Sequence, residues 1–165
     1  ATAELAAAIA AALERRGIDA EARPIGEIGE VGGYDAVVLG SAVYVGRWLR
    51  EARRFAERNA ATLATMPVWL FSSGPVGPAG ESGSADADTL AELTGAREHR
   101  VFAGRIDRAR LGLSERFVVR LVRAPARDDR DWAAVERFAA DIAYALADDD
   151  GALALRHTAG LRAST

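Results

Sequence analysis

The residues most able to bind a ligand lie where an apolar segment of the chain ends. Asp35 to Gly40 forms a short, unbroken aliphatic run, which is typical of a strand buried on both faces. A serine and an alanine follow, then Tyr44 and Trp48 on either side of a permissive Gly46. Ligands of α/β proteins bind beyond the carboxyl ends of such strands. This loop therefore predicts a site for a flat ring system, and the alternative is an ordinary strand followed by a loop.

A second segment repeats this arrangement. Pro67 opens an apolar run from Val68 to Phe71, and a loop rich in glycine, proline and serine follows from Ser72 to Ser84. The loop is long enough to have a function of its own. Two apolar strands that each end in a loop of small residues predict a ligand site built from both loops, at residues 41–46 and 72–77.

The composition excludes several kinds of chemistry. The chain contains no cysteine and no lysine, which rules out thiolate catalysis, cysteine-ligated metals, Schiff-base formation and a P-loop lysine. The net charge of −3 gives no indication of nucleic-acid binding. His99 and His157 have no partner spacing for a metal site or a catalytic triad, and we expect both at the surface. No signal peptide or membrane-spanning run is visible, so a cytoplasmic location is expected.

The hydrophobic periodicity predicts an alternation of helices and strands, and hence an α/β domain with a mainly parallel sheet. Ile18 to Arg23 alternates apolar and polar residues, which indicates an edge strand closed by Pro24. The predicted domain covers 1–147, with an insertion at 105–131, and a tail follows at 148–165. The other predicted elements are helices at Thr2–Arg16, Leu49–Thr62, Asp86–Leu93 and Trp132–Leu146, and a short strand at Val101–Ala103.

The order and spacing of several segments between Thr2 and Leu146 resemble the flavodoxin-domain family, and within it the menaquinone-dependent protoporphyrinogen dehydrogenases, which serve heme biosynthesis. No single motif is decisive, but the ordered set is fairly specific. The matching segments are Tyr34–Tyr44, Phe55–Ala56, Met66–Ser72, Phe102–Ile106, Leu113–Phe117 and Asp128–Trp132.

The resemblance implies a flavodoxin-like, doubly wound parallel sheet between two helical layers, and FMN as the cofactor. It implies no catalytic side chain and no metal ligand, because the flavin carries the redox chemistry. The implied flavin-binding residues are Thr2, Ser41, Ala42, Val43, Tyr44, Gly46, Ser72, Ser73 and Gly74.

Compared with this family, the chain begins at the end of the phosphate loop. Only Thr2 and the start of the first helix correspond to the phosphate site, so we expect a sheet that lacks its first, central strand and a sequence that is a fragment. Ala152 to Arg156 could re-enter the sheet as a substitute strand; the alternative, favoured by its alanine-rich composition, is a frayed tail.

The expected function is that of an FMN-dependent oxidoreductase that passes electrons from a reduced substrate to a quinone. The alternatives are a flavodoxin-type electron carrier without a substrate site and a flavin-free interaction module. Residues 111–123 form a basic amphipathic segment, which indicates either contact with the inner face of a membrane or packing on the domain. A quinone or other redox partner and a homo-oligomer are the expected partners.

Overall fold

The computed structural model describes residues 2–74, 85–103 and 131–161, and within them the side chains of all but 85 and 151–161. Helices and strands alternate through most of this part of the chain, as the hydrophobic periodicity predicts. In chain order the elements are α1 (Thr2–Glu14), a 3-10 helix (Ile25–Glu27), β1 (Val37–Tyr44), β2 (Arg47–Trp48), α2 (Arg50–Leu63), β3 (Val68–Gly74), α3 (Ala85–Thr94), β4 (Glu98–Ala103) and α4 (Trp132–Leu161).

The described strands form one sheet in the order β2-β1-β3-β4. β1, β3 and β4 are parallel, and β2 is the short antiparallel return of a hairpin that begins at the end of β1. The register pairs Val37 with Val68 and continues to Ala42 opposite Ser73. The carboxyl ends of β1 and β3 therefore lie side by side. Within the described residues, no strand pairs with the other edge of β1 along 37–42.

Alternation along the strands directs side chains into two separate cores, one on each face of the sheet. On the first face, α1 and α4 pack over Trp69 and Phe71 of β3. On the second face, α2 and α3 pack over Val68 and Leu70 of the same strand. This three-layer α/β/α arrangement confirms the predicted flavodoxin-like, doubly wound fold.

At Gly40, the ring of Phe71 from the neighbouring strand β3 covers the backbone of β1 on the first face. A Cβ atom added to Gly40 would lie 2.0 Å from Cζ of Phe71, its neighbour in the sheet. Phe71 is buried, and its ring packs edge-on against Phe102 with centroids 5.9 Å apart. The backbone conformation at Gly40 does not itself require glycine, because φ is not in the left-handed region. Glycine is required here because the Phe71 ring occupies the space that a side chain would need.

The predicted edge strand at Ile18–Arg23 is wrong, because this segment contains no strand. Ile18 and Ala20 do pack against the first core, so the alternation correctly identified the side chains that face inward. A strand also needs a neighbouring backbone with which to pair. The expected neighbour, the first strand of the family's sheet, has no counterpart in the described residues.

The predicted end of the last helix at Leu146 and the substitute strand at Ala152–Arg156 are also wrong, because α4 runs unbroken to Leu161. Alanine and leucine dominate this segment, and both are strong helix formers, whereas alanine is a poor strand residue. A single glycine at 151 costs a helix only about 1 kcal/mol relative to alanine, which does not end it.

No helix in the described part of the chain is long and apolar enough to cross a membrane.

Candidate functional site

The sheet register brings six of the nine predicted site residues to one edge. Ser41 lies opposite Ser72 and Ala42 lies opposite Ser73, at the carboxyl ends of β1 and β3. One residue further on, Gly74 approaches Val43 so closely that an added Cβ would lie 3.2 Å from Cβ of Val43. The two predicted loops therefore start from adjacent positions. The second loop is described only as far as Gly74, and residues 75–77 of that prediction lie outside the described residues.

A tight turn carries the predicted ring-binding residues beyond the end of β1. Tyr44 pairs with Arg47, so Val45 and Gly46 are the two central residues of the hairpin. Their φ angles are 49° and 71°, the pattern of a type I′ turn. Tyr44 is 50% exposed and Val45 is 82% exposed. The turn therefore presents an aromatic and an aliphatic side chain to solvent at the edge where a ligand of this fold is expected.

Val45 is a poor residue for its own conformation, because a β-branched side chain crowds the backbone at positive φ. Replacing Val45 with asparagine is expected to raise the free energy of unfolding by about 1 kcal/mol, since asparagine tolerates this region and Val45 contributes little burial. Urea denaturation of the two proteins measures the difference. Gly46→Ala is the control and should lower stability, and a Val45→Asn protein no more stable than the parent would contradict the argument.

Two of the predicted hydroxyls, those of Thr2 and Ser73, meet on the first face of the sheet. The Oγ1 of Thr2, at the start of α1, lies 2.6 Å from the Oγ of Ser73. The first turn of a helix has backbone N–H groups without intrahelical partners. Their shared hydrogen bond uses one of the two hydroxyl protons and leaves the other to donate elsewhere. A helix start with a spare hydroxyl proton is a suitable place for an anion such as a phosphate.

The hydroxyls of the other two predicted serines lie on the second face and are used within the protein. Ser41 Oγ accepts a hydrogen bond from the backbone N–H of Leu49 and donates to the carbonyl of Ala42. Ser72 Oγ accepts from Nε1 of Trp48 at 2.7 Å and lies 2.8 Å from Nε2 of His99. These serines therefore hold the hairpin to the sheet, and their hydroxyls are occupied.

His99 is not at the surface, which corrects the prediction made for it. It lies in β4, half-buried beside Trp48, with ring centroids 6.4 Å apart. Burial lowers the pKa of His99, against an opposing effect of the Asp88 carboxylate. The neutral imidazole is therefore favoured, and its Nε2 shares a hydrogen bond with the hydroxyl of Ser72, which also accepts from the indole N–H of Trp48. The side chain of His157 is not among those that the structure describes, so the prediction made for it stays a prediction.

Trp48 is a buried anchor of the hairpin, with 2% exposure, so it is not available to cover a ligand at the surface. Tyr44, the other aromatic residue of the predicted ring-binding loop, is the exposed one. This distinction follows from alternation within the hairpin, since Trp48 pairs with Val43 and shares the face that carries α2 and α3.

Asp86, in the first turn of α3, fixes the hairpin from outside the sheet. Its carboxylate accepts hydrogen bonds from Nη2 of Arg47 at 3.0 Å and from the backbone N–H of Trp48 at 3.1 Å, and it forms an ion pair with Arg53. The hydrogen bond from Arg47 is the main cause of the lowered pKa of Asp86. Sequence reasoning placed Asp86 only at the start of a helix, and its distance of 38 residues from Trp48 offers no spacing signal.

The arrangement can hold a ligand with an anionic end near Thr2 and Ser73 and a flat apolar end beside Tyr44. A family model described as Flavodoxin domain matches residues 1–132 of the chain. No curated protein matches the chain. Since the matched region is most of the sequence and the fold agrees with it, this chain belongs to the flavodoxin domain family.

Proposed function

We propose that this chain is the flavin-binding domain of an FMN-dependent oxidoreductase similar to the menaquinone-dependent protoporphyrinogen dehydrogenases, passing electrons from a reduced substrate to a quinone. Family membership supports a flavin-binding redox function in general. The observation that carries the proposal is the contact between Thr2 and Ser73, because it joins the start of α1 to the edge of the sheet that carries Tyr44.

The residues present suit the phosphate of FMN. The start of α1 favours a negative charge, and the hydroxyl pair of Thr2 and Ser73 has a proton to donate to a phosphate oxygen. Both groups lie on the first face of the sheet, which Ala42 and Tyr44 share by alternation along β1. The phosphate-binding groups and the ring-binding groups would then contact one ligand from the same side.

The residues present also suit a flat ring. Tyr44 offers an exposed aromatic face, and the small side chain of Ala42 with the glycine at 74 leaves the backbone accessible. A bound flavin would supply the transfer of hydride equivalents and electrons. Tyr44 would cover one face of the ring and exclude water from it. Ser72 and Asp86 would hold the hairpin that positions Tyr44, through Trp48.

The substrate and the electron acceptor are the finer part of this proposal. The insertion at 105–131 lies outside the described residues up to residue 130, including the basic amphipathic segment at 111–123. Its proposed contact with a membrane surface or quinone-bearing partner stays a prediction. The same is true of a homo-oligomer and of the domain boundaries. An electron carrier without a substrate site would bind FMN equally well, whereas a flavin-free module would not bind it.

Replacing Tyr44 with alanine is expected to weaken FMN binding by about 1–3 kcal/mol, because the ring loses aromatic stacking and apolar cover. The measurement is titration of the purified protein with FMN, followed by flavin fluorescence. The same substitution should weaken the binding of riboflavin, which lacks the phosphate, by the same free energy, because Tyr44 is proposed to contact the ring alone.

Tyr144→Ala is the matched control, since Tyr144 is a 78% exposed tyrosine on α4. It should leave the affinity for FMN unchanged. Equal affinity in a folded Tyr44→Ala protein would remove Tyr44 from the site. A parent chain that binds neither FMN nor riboflavin would overturn the proposal for this chain and favour the flavin-free module.

A further inference from the structure

Three arginines on α2 are not paired with any acidic residue in the described part of the chain. They are Arg50, Arg54 and Arg58, called here the arginine stripe, and none of them has an ion pair or a side-chain hydrogen bond with a described residue. Every other arginine whose side chain is described forms an ion pair with an aspartate or a glutamate. The stripe is thus an exception among the arginines whose side chains are described.

The placement of the arginine stripe is unfavourable for the helix itself. Residues four apart are neighbours on a helix surface, and like charges at that spacing repel one another. Arg50 also places a cation at the N-terminus of α2, where the helix dipole favours an anion. An anion bound between the guanidinium groups would relieve both effects.

The arginine stripe also lines a groove. The groove has a volume of about 410 Å³ and lies between α2 and the 3-10 helix Ile25–Glu27, whose Ile25 and Gly26 form part of its wall. This volume is in the range of small-molecule sites. Glu51 is the one carboxylate among the lining residues, so three positive groups face one negative group. The groove therefore has a net positive charge in a protein whose formal net charge is −3.

We propose that this groove binds a small organic anion that carries two or more phosphate groups. The planar fork of a guanidinium matches a phosphate with two parallel hydrogen bonds. The stripe extends about 12 Å along the helix, since eight residues rise 1.5 Å each, so a single phosphate would not reach all three arginines. The recess between two elements suits a small molecule. The proposal does not rest on flavin binding.

The test uses inorganic tripolyphosphate as the probe, titrated into the full chain by calorimetry. Two variants with the same change of charge are compared. One replaces Arg50, Arg54 and Arg58 with glutamine, and the other replaces the exposed, ion-paired Arg15, Arg23 and Arg137 with glutamine. The parent and the second variant should bind one tripolyphosphate with similar affinity, and the stripe variant should bind at least about tenfold more weakly.

The stripe variant should melt at a temperature no lower than the parent without the probe, because the substitution removes a repulsion. Equal weakening in both variants would attribute binding to overall charge and overturn the proposal. Tighter binding of tricarballylate than of tripolyphosphate would overturn the assignment to phosphate. Loss of FMN binding in the stripe variant alone would place these arginines in the flavin site and overturn a separate groove.

Discussion

Replacing Gly40 with alanine is expected to lower the free energy of unfolding by about 3 kcal/mol, at the upper end of the range for overpacked cores. The added methyl group would overlap the Phe71 ring at a distance of 2.0 Å. Phe71 cannot move aside cheaply, because it is buried and packs against Phe102. Urea or thermal denaturation of the parent and the variant gives the difference directly.

Two further variants separate this overlap from a general effect of losing glycine. Gly29→Ala should be close to neutral, since an added Cβ there has no atom within 4 Å and φ is not in the left-handed region. Phe71→Leu should reduce the cost of Gly40→Ala when the two are combined, giving a clear coupling in a double-mutant cycle. Additive costs would show that the Phe71 ring is not the cause.

Replacing Ser72 with alanine is expected to cost about 1–3 kcal/mol, because the buried indole N–H of Trp48 loses its acceptor and Nε2 of His99 loses its hydrogen-bond partner. The loss should appear in the denaturation midpoint. It should also shift the fluorescence of Trp48, whose indole is hydrogen-bonded to the removed hydroxyl.

Thr65→Ala is the comparison for this change, since Thr65 is exposed and its hydroxyl makes one local hydrogen bond to the carbonyl of Thr62. That variant should differ from the parent by less than about 0.5 kcal/mol. If Ser72→Ala is equally harmless, water or a rotated side chain must replace the lost partner, and the hairpin is not held through Ser72.

The sequence correctly predicts those helices and strands whose hydrophobic pattern is sufficient to define them. The aliphatic run before Gly40 and the run after Pro67 identify β1 and β3, and both strands extend a few residues further than predicted. Helix α2 is recognisable from apolar residues on one face, with Ala52, Phe55, Ala56 and Leu63 buried, and charged residues on the other. In these elements the local pattern and the tertiary packing require the same structure.

Apart from the last helix, whose length follows from local helix propensity, the residues that the sequence misplaced or missed depend on partners distant in sequence. The segment Ile18–Arg23 has strand-like alternation, but no strand of the described residues lies beside it for pairing. His99 has no informative neighbours in the sequence and is recognised only when β3 brings Ser72 beside it. Asp86 reaches the hairpin only after α2 and β3 have returned the chain to the same edge. The contacts of such residues can be identified only once the strand order and the helix packing are known.

In the described part of the chain, the two cores lie on opposite faces of the sheet, which is therefore the layer common to both. Trp48 belongs to the core under α2 and α3, and Trp69 belongs to the core under α1 and α4. Each buried tryptophan therefore reports on a different half of the protein, while Trp132 is largely exposed. Proteins with one buried tryptophan apiece would reveal whether the helical layers detach from the sheet together or one before the other. The unfolding of each helical layer can thus be followed separately through the fluorescence of its own buried tryptophan.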